Sequence, residues 1–311
     1  MHMVNIGGRR AFRWGAGLTA STAALAVALP ATTAEAATGP TGIAAKGAFL
    51  LDNGPNRQLW AKDADTKRQM ASTTKIMTAT VVLDTKRVNL DKQITVKKSY
   101  RDYVAREGGS TADLKVGDKL TVRQLLYGMM LPSGCDAAYA LADNFGTGKT
   151  EAQRTKSFIA QMNAKAKALG MKNTRYDSFD GISQSGGNVS TPRDIAKLAR
   201  HALGNSTFAT VVKASSTRQK ATNVNRLYTW YNTNRLLGSY KGAIGIKTGT
   251  GTAAGPCLVF AAQRGKRTVV GVILNDPAKR YPDAVKMLDW SFNTNSPKVK
   301  LRQLPSFAQQ D

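Results

Sequence analysis

Strand-like segments lie at both ends of this chain, and segments with helical periodicity fill the stretch between them. That distribution constrains the fold more than any other feature. Strand candidates at both ends are most simply satisfied by one sheet, which the middle of the chain leaves and rejoins. Near the start, residues 48–52 and 58–62 read as strands around the turn Asn53-Gly54-Pro55-Asn56. In the last third, residues 243–249, 257–262 and 268–274 are apolar and rich in β-branched side chains, and Arg264-Gly265-Lys266 joins the last two as a tight turn. Short strand candidates also fall at 93–96 and 114–116. Helices are expected from Ser72 through Leu83, over 122–131 behind a Thr121 cap, over 136–143, over 151–169, from Pro192 to about Leu203, and over 281–292. The expected class is α+β. An antiparallel sheet built from both chain ends (about 45–70 and 205–293) is packed by helices, with an all-helical lobe (about 85–204) inserted and a polar tail over 294–311.

The first 36 residues read as a cleaved leader rather than fold material. Arg9, Arg10 and Arg13 precede a largely apolar run, residues 16–29, and Ala34-Glu35-Ala36 is a small-x-small site that puts cleavage after Ala36. Arg9-Arg10-Ala11-Phe12 resembles a twin-arginine signal; the general secretory route fits as well. An exported protein, extracellular or held at the cell wall, is expected. The leader holds three of the 45 basic residues and one of the 20 acidic ones, so the mature domain, 37–311, carries a formal charge of +23. That charge attracts polyanions, here wall polymers or a membrane surface. Nucleic acid is not expected as a partner, because no basic run is interleaved with aromatics. Cys135 and Cys257 are expected as free thiols. With His201 they are too few and too scattered for a closed metal site, and neither metal nor cofactor is expected. His201 reads as a helix-face residue with no partner aspartate, which weighs against Ser-His-Asp chemistry. A monomer is expected.

Chemistry concentrates at Ala71-Ser72-Thr73-Thr74-Lys75-Ile76-Met77-Thr78. A serine at a helix start faces free N–H groups and the positive end of the dipole. Lys75, three residues on, shares its face and can take the hydroxyl proton. Alone, Ser-x-x-Lys is weak, arising by chance roughly once in a chain this long. Ser133-Gly134-Cys135, at a helix–helix junction, and Lys247-Thr248-Gly249, on a strand, follow in order. Two other glycine-rich stretches are decoys. Gly146-Thr147-Gly148-Lys149-Thr150 lacks the first glycine of a phosphate-binding loop and follows a helix, and residues 249–255 have the wrong spacing for a dinucleotide site.

Together the three motifs resemble those of the penicillin-recognising serine enzymes. Within that group, over about residues 45–293, the chain is similar to the serine D-Ala-D-Ala carboxypeptidases and transpeptidases, the low-molecular-mass penicillin-binding proteins. Leu131-Pro132-Ser133-Gly134-Cys135-Asp136, Asn232-Thr233-Asn234-Arg235-Leu236-Leu237 and Gly245-Ile246-Lys247-Thr248-Gly249 add to the likeness. The resemblance implies a β-lactamase/transpeptidase-like fold, peptidoglycan stem peptides as substrates and β-lactams as ligands. It implies Ser72 as nucleophile, Lys75 as base and Ser133 as proton relay. Lys247, Thr248 and Thr250 would bind the substrate carboxylate, with Cys135 beside the substrate. Most of the family has Asn at the position of Cys135; a Ser-Gly-Cys triplet occurs in a DD-transpeptidase of the family. A thiol is a weak donor and acceptor, so substrate anchoring is expected to differ and efficient hydrolysis is in doubt. Two alternatives remain. A class A β-lactamase would place a Glu after the second motif to activate water, whereas Glu107 precedes Ser133 and Glu151 lacks the companion Asn. A non-catalytic wall-polymer-binding protein would use the positive charge alone.

Overall fold

A computed structural model describes residues 39–310 except 279 and 297; the expected leader lies outside the described residues. The chain opens with a hairpin, β1 (Gly47–Asp52) and β2 (Arg57–Lys62). The short β3 (Arg68–Gln69) leads into a 3-10 turn, Ala71–Thr74, which runs on into α1 (Lys75–Leu83). Then come β4 (Gln93–Thr95), α2 (Lys98–Glu107), β5 (Lys119–Thr121), α3 (Val122–Met130), α4 (Cys135–Phe145), α5 (Glu151–Ala168), β6 (Val189–Ser190) and α6 (Pro192–Leu203). After α7 (Ser206–Lys213) and a hairpin of β7 (Ser216–Lys220) with β8 (Leu227–Tyr231), the chain rejoins the sheet. It adds β9 (Ala243–Gly249), β10 (Cys257–Arg264) and β11 (Arg267–Leu274), and α8 (Tyr281–Phe292) follows.

The main sheet runs β2-β1-β11-β10-β9, every pair antiparallel. β1 pairs with β11 from Gly47 opposite Leu274 to Asp52 opposite Val269, so the two chain ends meet inside the sheet as expected. Both faces are covered. Leu50, Leu258, Phe260 and Ile273 pack with Ala284, Met287 and Leu288 of α8, whereas Phe49, Leu51, Val259 and Val272 join the larger core with residues of α1 and α6. Double coverage explains why β10 and β11 read as continuous apolar runs instead of alternating. Among the described residues no helix is long and apolar enough to cross a membrane.

Local chemistry sets the helix starts. Thr121 and Gln124 form a reciprocal capping box on α3, and Thr150 and Gln153 form another on α5. The phosphate-loop look-alike is thus the stop of α4 and the cap of α5. Thr191 caps α6 by accepting from the Asp194 amide, with Pro192 in the first turn.

Some segments differ from expectation. β4 pairs with Lys119–Thr121, not with 114–116. Residue 114 cannot join a ladder because its amide donates to the Asp136 carboxylate at 3.1 Å while its side chain is buried. This hairpin means that the inserted lobe is not purely helical. Residues 299–310 lie against the body: Arg302 donates to the carbonyls of Ser215 and Asn232, and Gln309 accepts from the Thr111 amide at 3.3 Å. His201 does have an aspartate partner, Asp84, at 2.7 Å, with Lys165 also on that carboxylate at 2.9 Å. The pair sits at the C-terminal end of α1, a helix length from Ser72, because α6 and α5 both pack beside α1 there.

Candidate active site

Lys75, the first residue of α1, has no exposed surface. Its Nζ donates to Ser72 Oγ at 3.0 Å and to the Asp180 carbonyl at 2.9 Å, and lies 3.4 Å from Cys135 Sγ. A buried amine is costly unless it finds polar partners, and three of them surround Nζ. The Asp180 carbonyl arrives on a loop that passes directly beneath the 3-10 turn. Gly181 permits this: its φ is +101°, and a Cβ there would stand 2.0 Å from the Ala71 carbonyl oxygen. The Asp180 carboxylate fixes the loop, accepting from the Ile182 amide at 3.0 Å and the Tyr103 hydroxyl at 2.9 Å.

Ser133 lies between α3 and α4, fully buried, with φ +66°. Its hydroxyl has no hydrogen-bond partner among the described residues. A left-handed residue with a side chain is uncommon, and such strain persists only where the surroundings enforce it. Here Gly134 N donates to Gly128 O at 3.1 Å and Cys135 N to Ser110 O at 2.8 Å. Asp136 then ties the facing loop to α4, accepting from Ala112 N at 2.9 Å, Thr111 Oγ1 at 2.9 Å and Arg101 Nη1 at 2.6 Å. Burial pushes the Cys135 thiol up to about 12, against the pull of Lys75, which disfavours the thiolate.

Lys247 and Thr248 are buried at the end of β9, with Lys247 opposite Val259 of β10. Lys247 Nζ donates to the Thr248 carbonyl at 3.0 Å, and the Thr248 and Thr233 hydroxyls are 2.6 Å apart. The strand end abuts the serine turn. A Cβ on Gly249 would fall 2.9 Å from Ser72 N and 3.0 Å from Thr73 N, so only glycine allows the two backbones to meet. Arg280 clamps this end from behind, donating to the carbonyls of Gly249 (3.0 Å) and Cys257 (2.9 Å) and to Thr250 Oγ1 (2.9 Å).

Ser72, Cys135 and Thr250 line an open cleft of about 580 Å³, with residues 107–110, 181–186 and 251–254. Lys75, Ser133, Lys247 and Thr248 are buried and do not line it. A larger groove of about 760 Å³, between residues 111–115, β8 and residues 307–310, contains none of the expected site residues. The chemistry, not the volume, marks the site. Sequence reasoning missed the Asp180 carbonyl, Asp136 and Arg280. Each acts through a partner far along the chain, and no short spacing flags them.

The family described as D-alanyl-D-alanine carboxypeptidase matches residues 32–278. The D-alanyl-D-alanine carboxypeptidase of Streptomyces sp. strain K15 is 53% identical over 270 residues, covering 85% of this chain and 92% of that one. The solved Streptomyces K15 DD-transpeptidase superposes with a TM-score of 0.79, covering 82% of this chain and 99% of that one. A D-alanyl-D-alanine carboxypeptidase of Mycobacterium tuberculosis is 34% identical over 79% of this chain and 80% of its own length. With its sheet assembled from both ends and its lysine against the serine that opens the first helix, the chain belongs to the D-alanyl-D-alanine carboxypeptidase family, the serine-type DD-peptidases.

Proposed function

We propose that Ser72 is the nucleophile of an acyl transfer from peptides ending in D-Ala-D-Ala, and that Lys75 removes its proton. The observation that carries this reading is the 3.0 Å contact from Lys75 Nζ to Ser72 Oγ at the wall of an open cleft. A serine hydroxyl is a poor nucleophile until a neighbouring base is in reach. Ser72 Oγ attacks the carbonyl between the two D-alanines. The developing oxyanion is held by the backbone N–H groups of Ser72 and Thr250, each worth about 3 kcal/mol in comparable sites. The close approach of Gly249 to Ser72 supports that pairing of strand end and turn. Ser133, whose buried hydroxyl has its hydrogen-bonding capacity unspent, relays a proton to the leaving amine. Lys247, Thr248 and Thr250 bind the terminal carboxylate, with Arg280 holding Thr250 in place. The acyl-enzyme then passes to an amine, completing transpeptidation, or to water, completing carboxypeptidation. A β-lactam enters as a mimic of the dipeptide and stays on Ser72.

Incubation with a fluorescent penicillin and peptide mapping tests the assignment. The adduct is expected on Ser72, stable for minutes or longer, and lost in Ser72→Ala and Lys75→Ala. An adduct on Cys135, or rapid turnover of a chromogenic cephalosporin, would refute it. We further infer export with cleavage after Ala36, and a wall-facing role for the mature, positively charged domain.

A further inference from the structure

We propose that Glu107 recognises an alkylammonium group on the peptide that enters the Ser72 cleft. The inference rests on the acyl-transfer reading above and concerns which peptides the site prefers. Glu107 is the only charged side chain among the described residues that line the cleft. In a chain of formal charge +25, the charged side chain on the open wall of the cleft is therefore negative, whereas Lys75 and Lys247 are buried behind it. It is the last residue of α2, where the negative end of the helix dipole adds to its attraction for a cation.

The carboxylate is oriented but not saturated. One oxygen accepts from Arg106 Nε at 2.8 Å and the other from Gln184 Nε2 at 2.5 Å. An ionised carboxylate offers about four acceptor sites, so about two remain. Arg106 is 65% exposed, and solvent-exposed ion pairs of that kind hold their partners weakly. Beyond Glu107 a second hollow of about 340 Å³ continues from the cleft. The two share Glu107 and residues 182–185, and the second is also lined by Tyr103, Ile159 and Phe179. Apolar walls beside one carboxylate suit methylenes that end in an ammonium. Asp177 also lines this hollow, but one of its oxygens accepts from Ser183, Ser185 and the Gly187 amide and so organises the loop.

Two groups of the reaction have this chemistry: a side-chain amine on the donor peptide, and the amine of the acceptor. The experiment separates them. Hydrolysis is measured for two tripeptide donors ending in D-Ala-D-Ala, one carrying lysine with a free ε-amine and one with it acetylated. Partition of the acyl-enzyme between water and glycinamide is measured in parallel. Both readouts are ratios, so a general loss of acylation cancels, and thermal melting confirms that the variant is folded. Glu107→Gln is expected to lower one ratio about fivefold or more: the free-amine preference if the donor is read, the transfer-to-hydrolysis ratio if the acceptor is read. The wild-type ratio that falls should also weaken at high salt, as an exposed charge contact does. If neither ratio changes in Glu107→Gln while Ser72 still forms its penicillin adduct, this proposal is wrong and the acyl-transfer reading stands. If the wild type forms no adduct, both fall.

Discussion

Cys135 stands where the motif resemblance implies an amide in most relatives, and its surroundings decide what a thiol can do there. It is buried against the Lys75 amine, and burial holds its pKa near 12. The neutral sulfur can accept weakly from Lys75, but it cannot bridge firmly to a peptide carbonyl as an amide would. Among the described residues both cysteines are buried and outside any disulfide. Iodoacetamide at pH 8 should therefore leave Cys135 unmodified in the folded protein and alkylate it once guanidinium unfolds the chain. Fast native labelling of Cys135 would show a thiolate, and the neutral-sulfur account would fail. At this scale the expected site residues were legible from three short motifs, because their side-chain types announce the chemistry. The groups that aim them were not. A backbone carbonyl such as that of Asp180 has no sequence signature, and Arg280 serves Gly249 and Thr250 only because α8 begins beside the end of β9.

Among the elements, helix ends that carry buried carboxylates control the pH response. Asp143, near the end of α4, is buried, which by itself would raise its pKa. Hydrogen bonds from Arg154, Lys97 and Tyr100 outweigh burial and hold it below the usual carboxylate value. A carboxyl depressed in the fold stabilises at pH values above its unfolded pKa, near 4, and that contribution is lost as pH falls through the folded value. Asp276, just before α8, has the opposite sign. Burial raises it, and the neighbouring Asp283 adds to the rise. Its contribution is present below about pH 4 and is lost as pH climbs through the raised folded value. Urea titrations should separate the two. Asp143→Asn is expected to lower the midpoint at pH 7 and to have a progressively smaller effect as pH falls below about 4. Asp276→Asn is expected to raise the midpoint at pH 7 and to gain nothing near pH 3. Equal effects at both pH values would refute the assignments. Elements with caps and strong apolar faces were readable from the sequence: the boxes at Thr121 and Thr150 mark their helices, and β9 to β11 read as apolar runs. Two of the silent elements bury little, whereas α7 and β8 bury Phe208, Val211, Val212, Tyr228 and Trp230 and were not readable either. α2 buries only Tyr100 and Val104, and β7, Ser-Thr-Arg-Gln-Lys, alternates exposed and half-buried residues without apolar character.

For the whole molecule, charge and the leader set the expectations. The culture-medium or wall-associated protein should begin at Ala37 on N-terminal sequencing; a start at Met1 would remove the export reading. The mature domain should bind anionic wall polymer at low salt and release within a few hundred millimolar salt, where the screening length drops to a few ångströms. Retention at high salt would point to contacts other than charge. The sequence by itself determined the fold class, the sheet strands, most helices and the candidate side chains, because periodicity, caps and motifs are local properties of the chain. Only the tertiary structure decided that the serine turn lies against the end of β9, that Gly181 carries the Asp180 carbonyl under the buried lysine, and that Glu107 is the one charged side chain lining the cleft among the described residues. Those contacts join segments far apart in sequence, and long-range contacts are chosen by how whole faces pack, which no local pattern encodes.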